Sequence, residues 1–135
     1  MPVSTSAVRS ERLTLAGRTV LVIEDHKDSL ELLSTILTSL EAHVLTARTV
    51  AEAEHEVRFC RPHLIVCDMK LPDGTGIEFL KWLRTQPRGA RIPSIAITAW
   101  GDHFPPQAAG DFDAYMKKPL DFDRFTAVAV ALAYR

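Results

Sequence analysis

The stretch LIVCDMKLPDGTGIEFLKWLR, Leu64 to Arg84, decides the reading of the fold. It opens on an apolar run, and His63 to Cys67 reads as a strand covered on both faces. The run ends at one carboxylate, Asp68, and the Pro72-Asp73-Gly74 loop after it has turn chemistry. Thr75 stands three residues before Glu78, the reciprocal capping pattern of a helix start, and Ile77, Leu80 and Leu83 continue with helical spacing. A strand that runs through an acid and a turn into a capped helix is half of a parallel crossover unit.

The same alternation extends in both directions. Thr19 to Ile23, His43 to Ala47, Ser94 to Thr98 and Ala114 to Lys117 read as further strands. Leu30, Leu33, Ile36, Leu37 and Leu40, then Val50, Ala53 and Val57, have the spacing of amphipathic helices. Asp28 and Thr49 precede Glu31 and Glu52 by three residues, two more capping boxes. A last helix is expected from Asp121, burying Phe122, Phe125, Val128, Ala129 and Leu132, with Pro119 fixing the turn before it. Strand and helix alternating through the chain call for an α/β fold with a doubly wound, five-stranded parallel sheet of order 2-1-3-4-5. Ligands of such sheets sit beyond the carboxyl ends of strands 1 and 3, where the winding reverses.

The chain has 135 residues, enough for one domain with a full core. Residues 1–17 mix Ser, Thr and charges without period and read as a flexible arm, leaving 18–135 as the domain. An apolar fraction of 47% with 24% charged residues is that of a soluble protein, and no apolar run approaches the length of a bilayer span. The start lacks a secretory pattern, so a cytoplasmic protein is expected. A formal charge of −1 gives no general pull toward nucleic acid or an anionic membrane, and neither is expected as a direct partner. Cys60 and Cys67 lack metal-ligand spacing, and the five histidines are scattered.

Strand 1 runs into Glu24 and Asp25, strand 3 into Asp68, strand 4 into Thr98 and strand 5 into Lys118. These five side chains should converge on one crevice. Carboxylates 4 Å apart repel by about 4 kcal/mol at an effective dielectric constant near 20, so a cation must compensate. A hard divalent ion, Mg²⁺ or Mn²⁺, suits the site, since it takes a few carboxylate oxygens and keeps water or phosphate oxygens elsewhere. A carboxylate between a metal and an ammonium is equipped to attack phosphorus and form an aspartyl phosphate. Asp68 is the central candidate, Glu24 and Asp25 would hold the metal, and Lys118 and the Thr98 hydroxyl could stabilise the transferred charge.

Taken with their spacing, VLVIEDHKDS (Val20 to Ser29), the Leu64 to Arg84 stretch, IPSIAITAW (Ile92 to Trp100) and DAYMKKPLD (Asp113 to Asp121) resemble the receiver domain of bacterial two-component response regulators. The likeness runs from about Gly17 to Arg135. It implies that Asp68 is the phosphoacceptor and that the Lys70 backbone carbonyl joins Glu24, Asp25 and Asp68 around Mg²⁺. It implies that Thr98 and Lys118 contact the phosphoryl group and that Tyr115 is the aromatic partner of Thr98 in a conformational switch. It also implies a sensor histidine kinase or histidine phosphotransfer protein as donor, a downstream protein target, and a homodimer on phosphorylation. The resemblance associates Lys70 and Trp100 with the lifetime of the phosphorylated state.

The chain departs from the family between Thr98 and Lys118, where GDHFPPQAAG stands for the usual fourth helix. Pro105 and Pro106 can open a helix but not lie within one, so a shortened fourth helix or mobile loop is expected over Trp100 to Gly110. Three other readings compete. A flavodoxin-like cofactor binder shares the three-layer sandwich, but needs a neutral phosphate loop where this chain has Glu24-Asp25-His26-Lys27-Asp28. An aspartate-based phosphatase wants a second acid where Lys70 stands. A pseudo-receiver that binds without phosphorylation would not need the intact set of site residues.

Overall fold

A computed structural model describes residues 13–99 and 111–135. Five strands, β1 (Thr19–Ile23), β2 (His43–Ala47), β3 (Leu64–Asp68), β4 (Ser94–Thr98) and β5 (Ala114–Lys117), form one parallel sheet. Their order is β2-β1-β3-β4-β5, the doubly wound arrangement expected from the alternation. The register pairs Val20 with Leu64, Ile65 with Ser94, and Ile95 with Ala114. A two-residue hairpin, Lys70–Leu71 with Gly74–Thr75, follows β3.

Side chains alternate across a strand, and that period of two divides the core. Val20, Val22, Leu64, Val66, Ile95 and Ile97 face one side, under α1 (Lys27–Ser39) and α4 (Phe122–Ala133). Leu21, Ile23, Ile65, Cys67 and Ala96 face the other, under α2 (Val50–Phe59) and α3 (Gly76–Thr85). Phe125 and Phe79, the two completely buried phenylalanines among the described residues, anchor one helical layer each, and burial of such a ring stabilises by roughly 1.5–3 kcal/mol. β3 is buried along its whole length, as a central parallel strand must be, whereas edge strand β2 keeps two exposed residues.

The caps follow the sequence unevenly. Thr75 and Glu78 make a complete capping box at α3. Thr49 accepts from the Glu52 amide at α2, but the Glu52 carboxylate reaches the Arg48 amide instead, so this box is displaced by one residue. At α1 the expectation fails. The N-cap is His26, with no side-chain cap, because the Glu24 carboxylate already accepts the His26 amide. Asp28 then lies in the first turn, where its charge complements the helix dipole. The last helix, read as beginning at Asp121, starts at Phe122, and Asp121 caps it by accepting the Arg124 amide.

Three further boundaries differ. β3 runs one residue later than read, because Asp68 still pairs in register with Ile97. Phe122 is 52% exposed rather than buried, since it is the first residue of α4 and the helix turns Phe125 and Ala129 inward. The ordered fold also reaches into residues assigned to the arm: Leu15 is completely buried, and its amide bonds to the Leu40 carbonyl. The shortened helix or loop expected over 100–110, with Trp100, Pro105 and Pro106, lies outside the described residues, as does most of the arm.

Candidate phosphoryl and metal site

β1 and β3 are neighbours and end at the same level, so Glu24, Asp25 and Asp68 emerge side by side. One carboxylate oxygen from each lies within 4.8 Å of the others, the only cluster of potential metal ligands among the described residues. Glu24 and Asp68 are buried and Asp25 half-buried, which leaves one side open. Lys118, just past β5, reaches across β4 to the same place: its ammonium is 2.5 Å from Glu24 Oε1 and 3.6 Å from Asp68 Oδ2. The Lys70 amide donates to Asp68 Oδ1 at 3.3 Å, which fixes the carboxylate from the loop side. Thr98 ends β4, and its Oγ1 is completely buried with no hydrogen-bond partner among the described residues.

The electrostatics follow from this packing. Burial, then the hydrogen bond and charge of Glu24, push the Asp68 carboxyl up to about 6 despite Lys118. Glu24 is also raised by burial, but hydrogen bonds from Lys118, Asp68 and the His26 amide outweigh this and hold it below the ordinary value. Burial opposes the Lys118 charge, yet Glu24 and Asp68 raise its pKa above normal. One lysine therefore stands against a compressed group of acids, with charge demand left over for a cation.

Local sequence explains how the acids are held so close. At Gly76, the first residue of α3, a Cβ would sit 2.5 Å from the Asp68 carbonyl oxygen and 3.1 Å from Cys67 Sγ. Glycine lets the helix start pack against the end of β3. The Asp73 carboxylate accepts the Val50 and Ala51 amides at 2.7 and 3.0 Å, tying the loop after Asp68 to the start of α2. Burial pushes the Cys67 thiol up, so it stays protonated and inert in the core, as read from its apolar run.

The structure brings together Glu24, Asp25, Asp68, Lys118 and the Lys70 amide, and sets Thr98 at the end of β4, the strand next to β3. Tyr115, on β5, is partly buried and packs with the α2–α3 cluster. Ser29 was missed, although its Oγ is 3.5 Å from the Lys118 ammonium. Its spacing to Leu33 and Ile36, on the buried face of α1, was the available signal.

The donor set fits a hard divalent cation, with three carboxylates as oxygen ligands and an open side. Acids and a lysine at the switch point of a doubly wound sheet define a class of phosphate-handling α/β domains, and comparison with known proteins narrows it. Residues 20–129 match the response regulator receiver domain family, and the chain belongs to that family. The polar-differentiation response regulator DivK of Brucella anthropi is 32% identical over 111 residues, covering 80% of this chain and 89% of that protein. An uncharacterised 14.6 kDa protein of Leptolyngbya boryana is 34% identical over 110 residues, covering 80% of this chain and 84% of its own. The receiver domain of a Pseudomonas aeruginosa PAO1 sensor histidine kinase, solved with a magnesium ion coordinated in its active-site cleft, has a TM-score of 0.80 and 26% identity, covering 89% of this chain and all of that one.

The chain is thus a receiver domain of two-component signalling, a family in which phosphorylation and Mg²⁺ binding at an acidic pocket are general. Receiver domains interact with histidine kinases or phosphotransfer proteins and with downstream targets, and they are not enzymes in the ordinary sense, though they have autophosphatase activity. Among the described residues no helix is long and apolar enough to cross a membrane. The flavodoxin-like and pseudo-receiver readings are not favoured.

Proposed function

We propose that Asp68 accepts a phosphoryl group from a phosphohistidine of a sensor kinase or phosphotransfer protein, with Mg²⁺, or Mn²⁺ in its place, held by Glu24, Asp25, Asp68 and the Lys70 carbonyl. The single observation that carries this is the position of the Asp68 carboxylate: buried, 3.6 Å from the Lys118 ammonium, and grouped with two further acids. In the reaction an Asp68 oxygen bonds to phosphorus while the bond from phosphorus to the imidazole nitrogen breaks, and the imidazole leaves. A bound divalent cation would neutralise charge on the equatorial phosphoryl oxygens. Lys118 holds a second positive charge beside them, and the Thr98 hydroxyl, otherwise unpartnered, donates to one of them.

Loss of a partnerless state at Thr98 is the physical drive for the switch, since a buried hydroxyl without a hydrogen bond costs about 1–3 kcal/mol and pairing it recovers part of that. Tyr115, on neighbouring β5, is the residue whose packing would respond. The chain's own catalysis is limited to its phosphorylation and dephosphorylation. Its action belongs in the cytoplasm, where a kinase phosphohistidine can reach it, and the phosphorylated form signals to a protein target, with homodimerisation as one route.

Incubation with acetyl phosphate and Mg²⁺, followed by intact mass measurement, tests the assignment. One added phosphoryl group, lost in Asp68→Asn and suppressed by chelator, is expected. A label that persists in Asp68→Asn would refute it.

A further inference from the structure

The face opposite Asp68 carries a second concentration of charge. Arg18 precedes β1, Arg61 and His63 precede β3, and Arg91 precedes β4, so the N-terminal ends of three adjacent strands bring them together. They line one concavity of about 280 Å³, with no acidic side chain in its wall. A chain whose formal charge is −1 thus gathers four guanidinium groups, those of Arg18, Arg61, Arg91 and Arg135, and an imidazole around one hollow. Arg91 and Arg135 also line the adjoining hollow of about 490 Å³, and there Asp113 pairs with Arg135 at 2.8 Å and with Arg84 at 3.7 Å, so the Arg135 charge is already met. Arg18, Arg61 and Arg91 have no carboxylate partner among the described residues.

Two of the groups are held in place. The Arg18 guanidinium stacks 4.2 Å from the centre of the Tyr134 ring, which limits its rotamers. His63 Nδ1 accepts the Thr19 amide at 2.9 Å, so the neutral ring carries its proton on Nε2 as a donor. Burial, then the charges of Arg18 and Arg61, lower the His63 pKa, a direct sign that the three sit close together.

We propose that this hollow binds a small diphosphate-bearing anion. Guanidinium forks match phosphate oxygens in pairs, and the three that lack a carboxylate partner, Arg18, Arg61 and Arg91, exceed the charge of one phosphate monoester. The volume of about 280 Å³ is close to the low end of small-ligand pockets, which suits a compact anion. No phenylalanine, tyrosine or tryptophan lines the hollow among the described residues, so recognition rests on the phosphates. The five-residue strands place the hollow about 16 Å from the acid cluster, so the two sites are occupied independently.

The test is a titration of the full chain with sodium pyrophosphate, followed by ¹H–¹⁵N NMR without Mg²⁺ and at ionic strength matched with NaCl. Saturable shifts are expected at Arg18, Arg61, His63 and Ile92, with a rise in the His63 pKa and with Glu24, Asp68 and Lys118 unaffected. Arg61 and Arg91 are exposed and take part in no hydrogen bond or ion pair among the described residues, so Arg61→Ala and Arg91→Ala should fold normally. Each should weaken binding about tenfold or more. Asp68→Asn should leave it unchanged, which separates this site from the phosphorylation site. Shifts that match the NaCl control, or binding that survives the double variant Arg61→Ala/Arg91→Ala, would overturn the proposal. Saturation by hexaglutamate but not by pyrophosphate would also overturn it, making the hollow a protein-docking site.

Discussion

Mg²⁺ binding to the metal-free protein should weaken sharply below pH 6, because Asp68 must lose a proton to act as a ligand. Its carboxyl is held up to about 6 by burial and by Glu24, while Lys118 remains charged throughout this range. At pH 8 Asp68 is essentially all ionised; at pH 6 about half is, and at pH 5 only about one part in eleven. Apparent affinity scales with the competent fraction, so the dissociation constant should rise about twofold at pH 6 and about tenfold at pH 5 relative to pH 8. Isothermal titration calorimetry at these pH values measures the constant. Repetition at pH 6 in two buffers of different ionisation heat counts the protons released, with about half a proton per ion expected. Asp68→Asn should bind more weakly and lose this pH dependence. A dissociation constant flat from pH 5 to 8, or a profile unchanged by Asp68→Asn, would refute the reasoning.

Mg²⁺ should raise the melting temperature of the parent, and Asp25→Ala should remove most of that rise, as followed by differential scanning fluorimetry with and without chelator. Lys118→Met leaves Glu24 and Asp68 facing each other uncompensated, so urea unfolding at pH 8 should show a loss of about 3–5 kcal/mol, smaller at pH 5 where the two acids share a proton. Gly76→Ala should cost about 1–3 kcal/mol in the same assay and slow phosphorylation, because the added methyl meets the Asp68 carbonyl.

The sheet was legible because its signals are local. Each strand is an apolar run of four or five residues, each helix has a stripe, and Thr75 with Glu78 announces α3 without help from the rest of the chain. The strand ends then specified the acid cluster, since five parallel strands deliver their last residues to one edge. What depended on tertiary competition was harder to read. Asp28 looked like a cap, but the Glu24 carboxylate engages the His26 amide and starts the helix two residues earlier. Leu15 is one apolar residue in a polar stretch, and only the Leu40 carbonyl and the surrounding core give it a place. The basic hollow had no sequence signature, because Arg18, Arg61 and Arg91 are distant in the chain and meet only through the strand order.

The acid cluster is a cost that the fold carries for its chemistry. A carboxyl whose folded pKa lies above its free value of 3.8 keeps a proton that the unfolded chain has lost, so Asp68 costs stability increasingly between pH 4 and 6. The shift to about 6 corresponds to about 3 kcal/mol at neutral pH, offset in part by Glu24, whose lowered value acts in the opposite sense. Lys118 limits this cost without removing it, because one ammonium faces more than one carboxylate. The remaining charge demand calls for a cation, and under the proposed function the unpartnered Thr98 hydroxyl would pair with a phosphoryl oxygen. The energy that these ligands recover is therefore stored at the ends of β1, β3 and β4, whose packing connects the site with both helical layers.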